Sequence, residues 1–230
     1  TAHVCGTWTG GDAANFLQFQ GSGSAGNVIT LLFESGAEMR PNYCAPAGCI
    51  DLNANSYLTV DGGTTCGNNG AVAGWTTTTC NGKIQNWTAG TSTQTCPSGS
   101  ACVDTSSRSY AIGSGAISAN NIIVQNMAFG PLYTRDPDDV NVTTRAYGQD
   151  TAAIGLANGN LSHHITLQHS TCTSIAKCFL VSGGTLSANL SNFDMHNVTV
   201  SSLCWAMGVS GEGGNSWDIT TITFHDNEVT

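Results

Sequence analysis

Charged side chains are scarce in this sequence, in which Asp, Glu, Lys and Arg together make up 9% of 230 residues. Lys and Arg number 6 against 15 Asp and Glu, which gives a formal net charge of −9. A protein that binds nucleic acid needs a basic surface to neutralise phosphates. The composition therefore excludes a nucleic-acid partner, and the surface must be made polar by Thr, Ser, Asn and Gly.

Long apolar runs and Cys-x-x-Cys pairs are also absent. No apolar run reaches the roughly 18 residues of a membrane span, and no signal-peptide core precedes Thr1, so we expect a mature secreted protein without a membrane span. The 10 cysteines lack the spacing of zinc or redox sites. They indicate disulfide bonds formed in an oxidising, extracellular compartment.

The spacing of the cysteines predicts local disulfide bonds that pin loops and corners. Each bond closes a short loop and contributes about 2–3 kcal/mol by the chain-entropy model. Cys5 and Cys204 are left over, so they either join across the fold, remain free or pair between molecules. The predicted pairs are Cys44–Cys49, Cys66–Cys80, Cys96–Cys102 and Cys172–Cys178.

Acceptor sequences for N-glycosylation, Asn-x-Ser/Thr, recur along the chain. A chain so rich in Asn, Ser and Thr produces such sequences by chance, so they permit glycosylation without proving it. Covalent glycans would supply the solubility that the low charge does not. The acceptors are Asn86, Asn141, Asn160, Asn189 and Asn197.

Three of the six histidines fall within "SHHITLQHS", residues 162–170. The Ile-x-Leu alternation around Thr166 predicts a strand, whose successive side chains point to opposite faces. His163 and His164 are therefore expected to diverge, and His163 lies roughly 20 Å from His169 at about 3.3 Å per residue. A metal site would need ligands from neighbouring strands, and we expect neither a metal nor a cofactor.

A strand pattern of this kind recurs, in "YLTVDGG", "NIIVQNM", "HITLQHS", "NFDMHNV" and "TITFHDN". Each copy has two apolar anchors, followed by Gly, Asn, His or Asp, which suit a turn that needs a left-handed backbone position. The second anchors Leu167, Met195 and Phe224 are 28 and 29 residues apart. The anchors are Leu58 and Val60, Ile122 and Val124, Ile165 and Leu167, Phe193 and Met195, Ile222 and Phe224.

A second strand series precedes each copy of the first and keeps nearly the same period. Its last three anchors are 25 and 28 residues apart. Two series with one period predict a solenoid built of long parallel sheets, an all-β fold in which both sets of anchors point inward. The anchors of the second series are Ile50, Ile112, Ile154, Phe179 and Met207, and Leu156, Val181 and Val209 are also expected to point inward.

The segments "LLFESGAEM", "SYLTVDGG" and "NNIIVQNMAF" resemble the right-handed parallel β-helix proteins of the pectate-lyase-like superfamily. The resemblance covers most of residues 27–230 and implies one β-helix domain of about six coils, with insertions at 64–103 and 130–149. Residues 1–26 are expected to form a cap or assembly segment. Within them, "GGDAANFLQFQGSG" is either a short helix with Asp12 as its N-cap or a further strand, and 27–39 is expected to open the stack.

The resemblance does not carry pectate-lyase activity with it. Gln168 stands where the lyases have a calcium-binding Asp, so only His169 carries over, and no arginine follows Arg145 to abstract a proton. Asp139 in the second insertion and Asp150 directly after it are weak candidates for the carboxylate pair of a glycosidase, and a solvated loop is the simpler interpretation. For His169, His196 and His225 the simpler interpretation is a polar residue that caps backbone groups at a coil corner.

We therefore expect a secreted, glycosylated structural protein that associates with other copies of itself into a filament or surface layer. The alternative is a β-helix protein that binds or degrades polysaccharide. No cap is visible after "TITFHDNEVT", so the last coil is expected to stack head-to-tail on Thr1–Gly11 of another copy. The competing explanation is a chain that continues past Thr230 and caps itself.

Overall fold

The computed structural model describes ten segments of the chain, and every strand in them belongs to a β-sheet. These residues include no helix, and so none that is long and apolar enough to cross a membrane. The described segments are residues 1–11, 14–41, 43–63, 80–85, 109–114, 118–132, 151–157, 162–182, 189–210 and 218–229.

The strands are short at the start of the chain and longer towards its end. In chain order they are β1 (Ala2–Val4), β2 (Thr7–Gly10), β3 (Leu17–Gln18), β4 (Ile29–Phe33), β5 (Glu38–Pro41), β6 (Ile50–Asp51), β7 (Ser56–Asp61), β8 (Gly82–Ile84), β9 (Ser109–Gly113), β10 (Asn120–Gln125), β11 (Met127–Phe129), β12 (Thr151–Ala157), β13 (His163–Gln168), β14 (Thr171–Ser182), β15 (Asn189–His196), β16 (Thr199–Ser210), β17 (Asp218–His225) and β18 (Glu228–Val229).

Successive strands fall in turn on three parallel sheets. The first sheet has the order β1-β4-β7-β10-β13-β15-β17. The second runs β2-β5-β8-β11-β14-β16-β18, and the third runs β3-β6-β9-β12-β14-β16. β14 and β16 belong to both because each is 12 residues long: Thr171 pairs with β11, whereas Phe179 pairs with β12.

This all-β, all-parallel arrangement is compatible with a parallel β-helix, as the repeats predict. Each strand pairs with the strand that lies one repeat away rather than with its immediate neighbour in the chain. The right-handed winding, the number of coils and the extent of the insertions stay predictions.

The two series of anchors are confirmed by the strand register. Leu58, Ile122, Ile165, Phe193 and Ile222 occupy one row of the first sheet. Ile50, Ile112, Ile154, Phe179 and Met207 occupy one row of the third sheet. These rows face each other across one continuous apolar core, where the rings of Phe179 and Phe193 meet edge to face at 6.0 Å.

Most of the residues predicted to point inward are fully buried, and the exceptions lie near the last strands. Met207 is partly buried, and the side chain of Val209 lies outside the described residues. Ile222 and Phe224 are 43% and 45% exposed. The reason is that β17 pairs with β15 on one side only among the described strands, so these two side chains have no described row packed over them.

The left-handed turn predicted after the strands of the first sheet is confirmed. The residues that follow Gln125, Gln168, His196 and His225 all have φ between 48° and 58°. They are Asn, His, Asn and Asp, the residue types that are most enriched in this conformation after glycine. The four left-handed residues are Asn126, His169, Asn197 and Asp226.

The N-terminal residues are part of the same sheets. β1, β2 and β3 pair in parallel with β4, β5 and β6, so the strand alternative applies to Leu17–Gln18, and the stack opens with β1 rather than with residues 27–39. Asp12 lies outside the described residues.

One part of the predicted first insertion is also a sheet strand. β8 lies inside the range 64–103, yet it pairs with β5 on one side and β11 on the other. The insertion is therefore interrupted by a strand of the second sheet. The rest of this range, and most of 130–149, lie outside the described residues.

Two of the four predicted disulfide bonds are present in the structure. Cys44 is bonded to Cys49 and Cys172 to Cys178, across sequence separations of 5 and 6. Cys80 is also disulfide-bonded, but its predicted partner Cys66 lies outside the described residues, as do Cys96 and Cys102. Cys5 is a free, exposed thiol.

Candidate functional site

The outer face of the first sheet carries two polar rows that run across its strands. Strand alternation turns the residues between the buried anchors outward, and the parallel register stacks them. The central row contains Thr30, Thr59, Ile123, Thr166, Asp194 and Thr223, and the row at the strand ends contains Asp61, Gln125, Gln168, His196 and His225.

The strand-end row begins as a chain of side-chain hydrogen bonds. Gln168 Nε2 donates to Gln125 Oε1 at 2.7 Å, and Gln125 Nε2 donates to Asp61 Oδ2 at 2.8 Å. Asp61 Oδ1 also accepts bonds from Asn126 Nδ2 and from the backbone N–H of Gly63, both at 2.8 Å. The Asp61 carboxylate is therefore held by donors from its own turn and from the next strand.

Further along the strand-end row, the amides give way to His196 and His225, which lie next to Asp194 of the central row. We call Asp194, His196 and His225 the Asp-His cluster. His196 Nδ1 lies 2.8 Å from Asp194 Oδ2, and His225 Nε2 lies 3.7 Å from Asp194 Oδ1. The two imidazole rings stack with centroids 5.0 Å apart and planes 7° from parallel. One donor atom from each residue lies within 4.8 Å of the other two.

The surroundings of the Asp-His cluster differ from residue to residue. Asp194 and His196 are half-buried, whereas His225 is exposed. His225 Nδ1 also lies 2.7 Å from Asp226 Oδ2. Asp194 Oδ1 is buried and accepts no hydrogen bond within the part of the chain that the structure describes.

A groove of about 440 Å³ crosses the outer face of the first sheet and reaches Asp194. Its lining mixes hydroxyl, amide and aromatic groups with the apolar Val28 and Ile123. One row of the lining has left-handed backbone in every strand of the first sheet from β7 onwards, with φ between 54° and 57°. That row is Tyr57, Asn121, His164, Asn192 and Thr221.

The prediction that His163 and His164 diverge is wrong. Their Nδ1 atoms lie 2.6 Å apart and their rings meet edge to face. The reason is that His164 has φ 54°, which interrupts the alternation expected of a regular strand. Burial, and to a smaller degree the neighbouring imidazole of His164, lower the pKa of His163.

The remaining predicted site residues are only partly covered by the structure. His169 is half-buried at a left-handed corner, with its ring 6.0 Å from that of His196. Asp139 and Asp150 lie outside the described residues, so the acidic loop is not placed. Among the glycosylation acceptors, Asn197 is half-buried at its corner, the side chain of Asn189 is not described, and Asn86, Asn141 and Asn160 lie outside the described residues.

Capping of backbone groups, the simpler sequence interpretation of His196 and His225, does not match their hydrogen bonds. Both imidazoles meet carboxylates instead: Asp194 for His196 and Asp226 for His225. The signal was available in the repeats, because aligning "NFDMHNV" with "TITFHDN" places the two histidines opposite each other. Asp194, two residues before His196, then falls on the same face.

A second surface lies at the last strands of the sheets. The described residues include six large apolar side chains that are exposed, and three of them, Ile222, Phe224 and Val229, belong to β17 and β18. Their partners in the preceding strands, Phe193, Met195 and Val200, are buried. The apolar rows of the core thus continue to this edge.

Comparisons with family models, with curated proteins and with solved structures found no match to this chain. The resemblance to the pectate-lyase-like superfamily consequently has no support beyond the parallel all-β architecture.

Proposed function

We propose that this chain is an extracellular structural protein that assembles by continuing its parallel sheets from one copy into the next. The observation that carries the proposal is the exposure of Ile222 and Phe224 on β17, in register with the buried core residues of β15. Burial of such side chains contributes roughly 1.5–3 kcal/mol each, and a strand edge with unpaired backbone groups favours pairing with another chain.

The two ends of the stack supply complementary edges for this assembly. Among the described strands, β1 and β2 lie at one edge of the first and second sheets, and β17 and β18 lie at the opposite edge. A copy that places β1 against β17 extends both sheets in the same parallel sense. This contact joins two different surfaces, so repetition gives an open filament unless it closes into a ring.

The finer features of the fold and its location belong to the same proposal. The chain winds as a right-handed parallel β-helix of about six coils, in keeping with three sheets that take successive strands in turn. Disulfides at Cys44–Cys49 and Cys172–Cys178 support an oxidising, extracellular compartment. Glycans on the Asn-x-Ser/Thr acceptors would keep such a weakly charged surface soluble.

The test of assembly is the Phe224→Asp variant, compared with Ile123→Asp. Both residues are exposed and apolar on the first sheet, but Ile123 lies on the outer face of β10, away from the terminal edge. Electron microscopy and light scattering are expected to show filaments for the unmodified chain and for Ile123→Asp, and single particles for Phe224→Asp. A monomeric unmodified chain, or filaments that survive Phe224→Asp, would contradict the proposal.

A second candidate function is polysaccharide binding, favoured by the groove on the first sheet. Left-handed backbone at a non-glycine residue costs of order 1–3 kcal/mol, and such residues cluster at active sites and ligand-binding sites. Here five of them line one groove, together with hydroxyl and amide groups spaced strand by strand. This arrangement suits a long polymer of hydroxylated rings.

Binding assays with polyuronates and neutral glycans, with and without calcium, test this second function. Tyr57→Ala is expected to weaken binding because Tyr57 lines the groove, whereas Trp205→Ala, an exposed aromatic of β16 outside the groove, is expected to leave it unchanged. Equal affinities in the two variants would eliminate the groove as the binding surface.

A further inference from the structure

The Asp-His cluster has the donor atoms of a metal site. In a tetrahedral zinc site, metal–nitrogen and metal–oxygen bonds of about 2.0–2.2 Å put neighbouring donor atoms about 3.3 Å apart. His196 Nδ1 lies 2.8 Å from Asp194 Oδ2, and His225 Nε2 lies 3.7 Å from Asp194 Oδ1, so the two distances fall on either side of that value. Adjustments of well under 1 Å would bring these two pairs of donor atoms to that spacing. The stacked rings of His196 and His225 must also rotate towards a common point, because an imidazole binds a metal ion in its own plane.

The hydrogen bonds around His225 leave two lone pairs facing each other. A carboxylate only accepts hydrogen bonds, so the contact with Asp226 Oδ2 places the proton of neutral His225 on Nδ1. His225 Nε2 is then an acceptor, and it faces Asp194 Oδ1, which is buried without a donor in the described part of the chain. A cation between these two atoms satisfies both.

His196, two residues after Asp194 on β15, is the third residue with a donor atom for the ion. Its Nδ1 shares a proton with Asp194 Oδ2. When an ion takes the place of that proton, the proton moves to Nε2 of the same ring, so neutral imidazole is kept and no further group is needed. Asp226 fixes the orientation of His225 through its second nitrogen, the outer-shell arrangement typical of histidine ligands.

We propose that Asp194, His196 and His225 bind one divalent transition-metal ion, of which Zn²⁺ is the representative. Two imidazole nitrogens and the carboxylate of Asp194 favour zinc and its neighbours in the first transition row over Ca²⁺ or Mg²⁺, which prefer oxygen ligands alone. Three protein ligands leave a fourth position for water. The site joins β15 to β17 and does not depend on the proposed assembly.

The test is a titration of the full chain with Zn²⁺, followed by calorimetry and by thermal unfolding. The expected result is one ion bound per chain and, with zinc at about 100 times its dissociation constant, a rise in melting temperature of roughly 5–10 °C. Ca²⁺ is expected to produce neither effect. A chain that shows no saturable Zn²⁺ binding, or that binds Ca²⁺ in preference, overturns the proposal.

Variants locate the ion and separate it from adventitious binding. Asp194→Asn and His225→Gln are expected to abolish the zinc-dependent rise in melting temperature, and Asp226→Asn is expected to weaken binding by about 10–100-fold. His164→Gln and Cys5→Ser are the matched controls, because they remove an exposed imidazole and an exposed thiol outside the cluster. Circular dichroism checks that each variant is folded. Zinc binding that persists in folded Asp194→Asn and His225→Gln, or that is lost in either control, overturns the assignment.

Discussion

Gln168 on β13 donates its side-chain N–H to the side-chain oxygen of Gln125 on β10, 2.7 Å away. Gln125 in turn donates to Asp61 on β7, so that one amide links three strands of the first sheet. The bonds run across the strands, parallel to the backbone hydrogen bonds of the sheet. They therefore stabilise the register of three successive strands.

Replacement of Gln125 by Leu is expected to lower the free energy of unfolding by about 1–3 kcal/mol. The change removes one donor to the Asp61 carboxylate and one acceptor for Gln168, while Asp61 keeps its bonds from Asn126 and Gly63. Urea denaturation measures the loss. Thr166→Val, on the same face, is the control and is expected to stay within about 0.5 kcal/mol. Equal stabilities of the two variants would show that the amide chain contributes nothing.

Gly155 of β12 is expected to tolerate no larger residue. A Cβ atom at this position would lie 2.2 Å from ring atoms of Tyr110, which is fully buried. Gly155→Ala is therefore expected to cost about 3 kcal/mol through overpacking, measured by thermal or urea unfolding. Gly21→Ala is the control because a Cβ there meets nothing within 4 Å.

A partner substitution tests whether Tyr110 is the cause of that loss. Tyr110→Leu in the Gly155→Ala background replaces the ring that meets the new methyl group. We expect the double variant to lose less than the sum of the two single losses. Additive losses would mean that the new methyl group clashes with backbone atoms and not with the Tyr110 ring.

Loss of the Cys172–Cys178 disulfide is expected to destabilise the chain by about 2 kcal/mol. The bond joins two residues of β14 with a sequence separation of 6, and its effect in the chain-entropy model is small because the closed ring is short. The Cys172→Ala/Cys178→Ala variant is compared with Cys5→Ser in denaturant unfolding. Since Cys5 is free and exposed, its replacement is expected to change stability by less than about 0.5 kcal/mol.

The lowered pKa of His163 predicts a stability that falls in acid. Burial and the proximity of His164 disfavour the charged imidazole in the folded chain, so the unfolded chain binds more protons as the pH drops through the ordinary histidine value of about 6.5. The contribution of His163 is complete above that pH and is lost below it, towards the lower pKa of the folded state.

Unfolding measured between about pH 7.5 and pH 5 checks the histidine prediction. His163→Gln is expected to show a shallower loss of stability with falling pH than the unmodified chain. Thr166→Val, which removes no titratable group from the same strand, is expected to leave the slope close to that of the unmodified chain. A slope unchanged by His163→Gln would contradict the assignment.

The sheets were predictable because their apolar anchors recur at nearly constant spacing. Rows such as Leu58, Ile122, Ile165 and Phe193 follow from the period of two along a strand and from the repeat between strands. The corner residues followed from the same alignment, since few residues besides Gly, Asn, Asp and His tolerate left-handed backbone. The strand β8 was missed because "GKI" is too short to show any period.

The candidate site was harder to predict because it depends on details that a strand pattern does not encode. The contact between His163 and His164 arises from one left-handed residue inside a strand, where alternation fails. The Asp-His cluster could be predicted only if the aligned repeats were treated as neighbouring strands of one sheet. The protonation that leaves His225 Nε2 facing Asp194 is set by Asp226, whose placement follows from the corner geometry.

The two described disulfides have a mechanical consequence. Each joins residues that are close in the chain, Cys44 to Cys49 and Cys172 to Cys178 within β14, so neither bridges one strand of a sheet to the strand stacked on it. Neighbouring strands stack along the direction of their hydrogen bonds. A pulling force in that direction is therefore borne by backbone hydrogen bonds and apolar contacts, and neither of these two crosslinks would stop the stack from unwinding strand by strand.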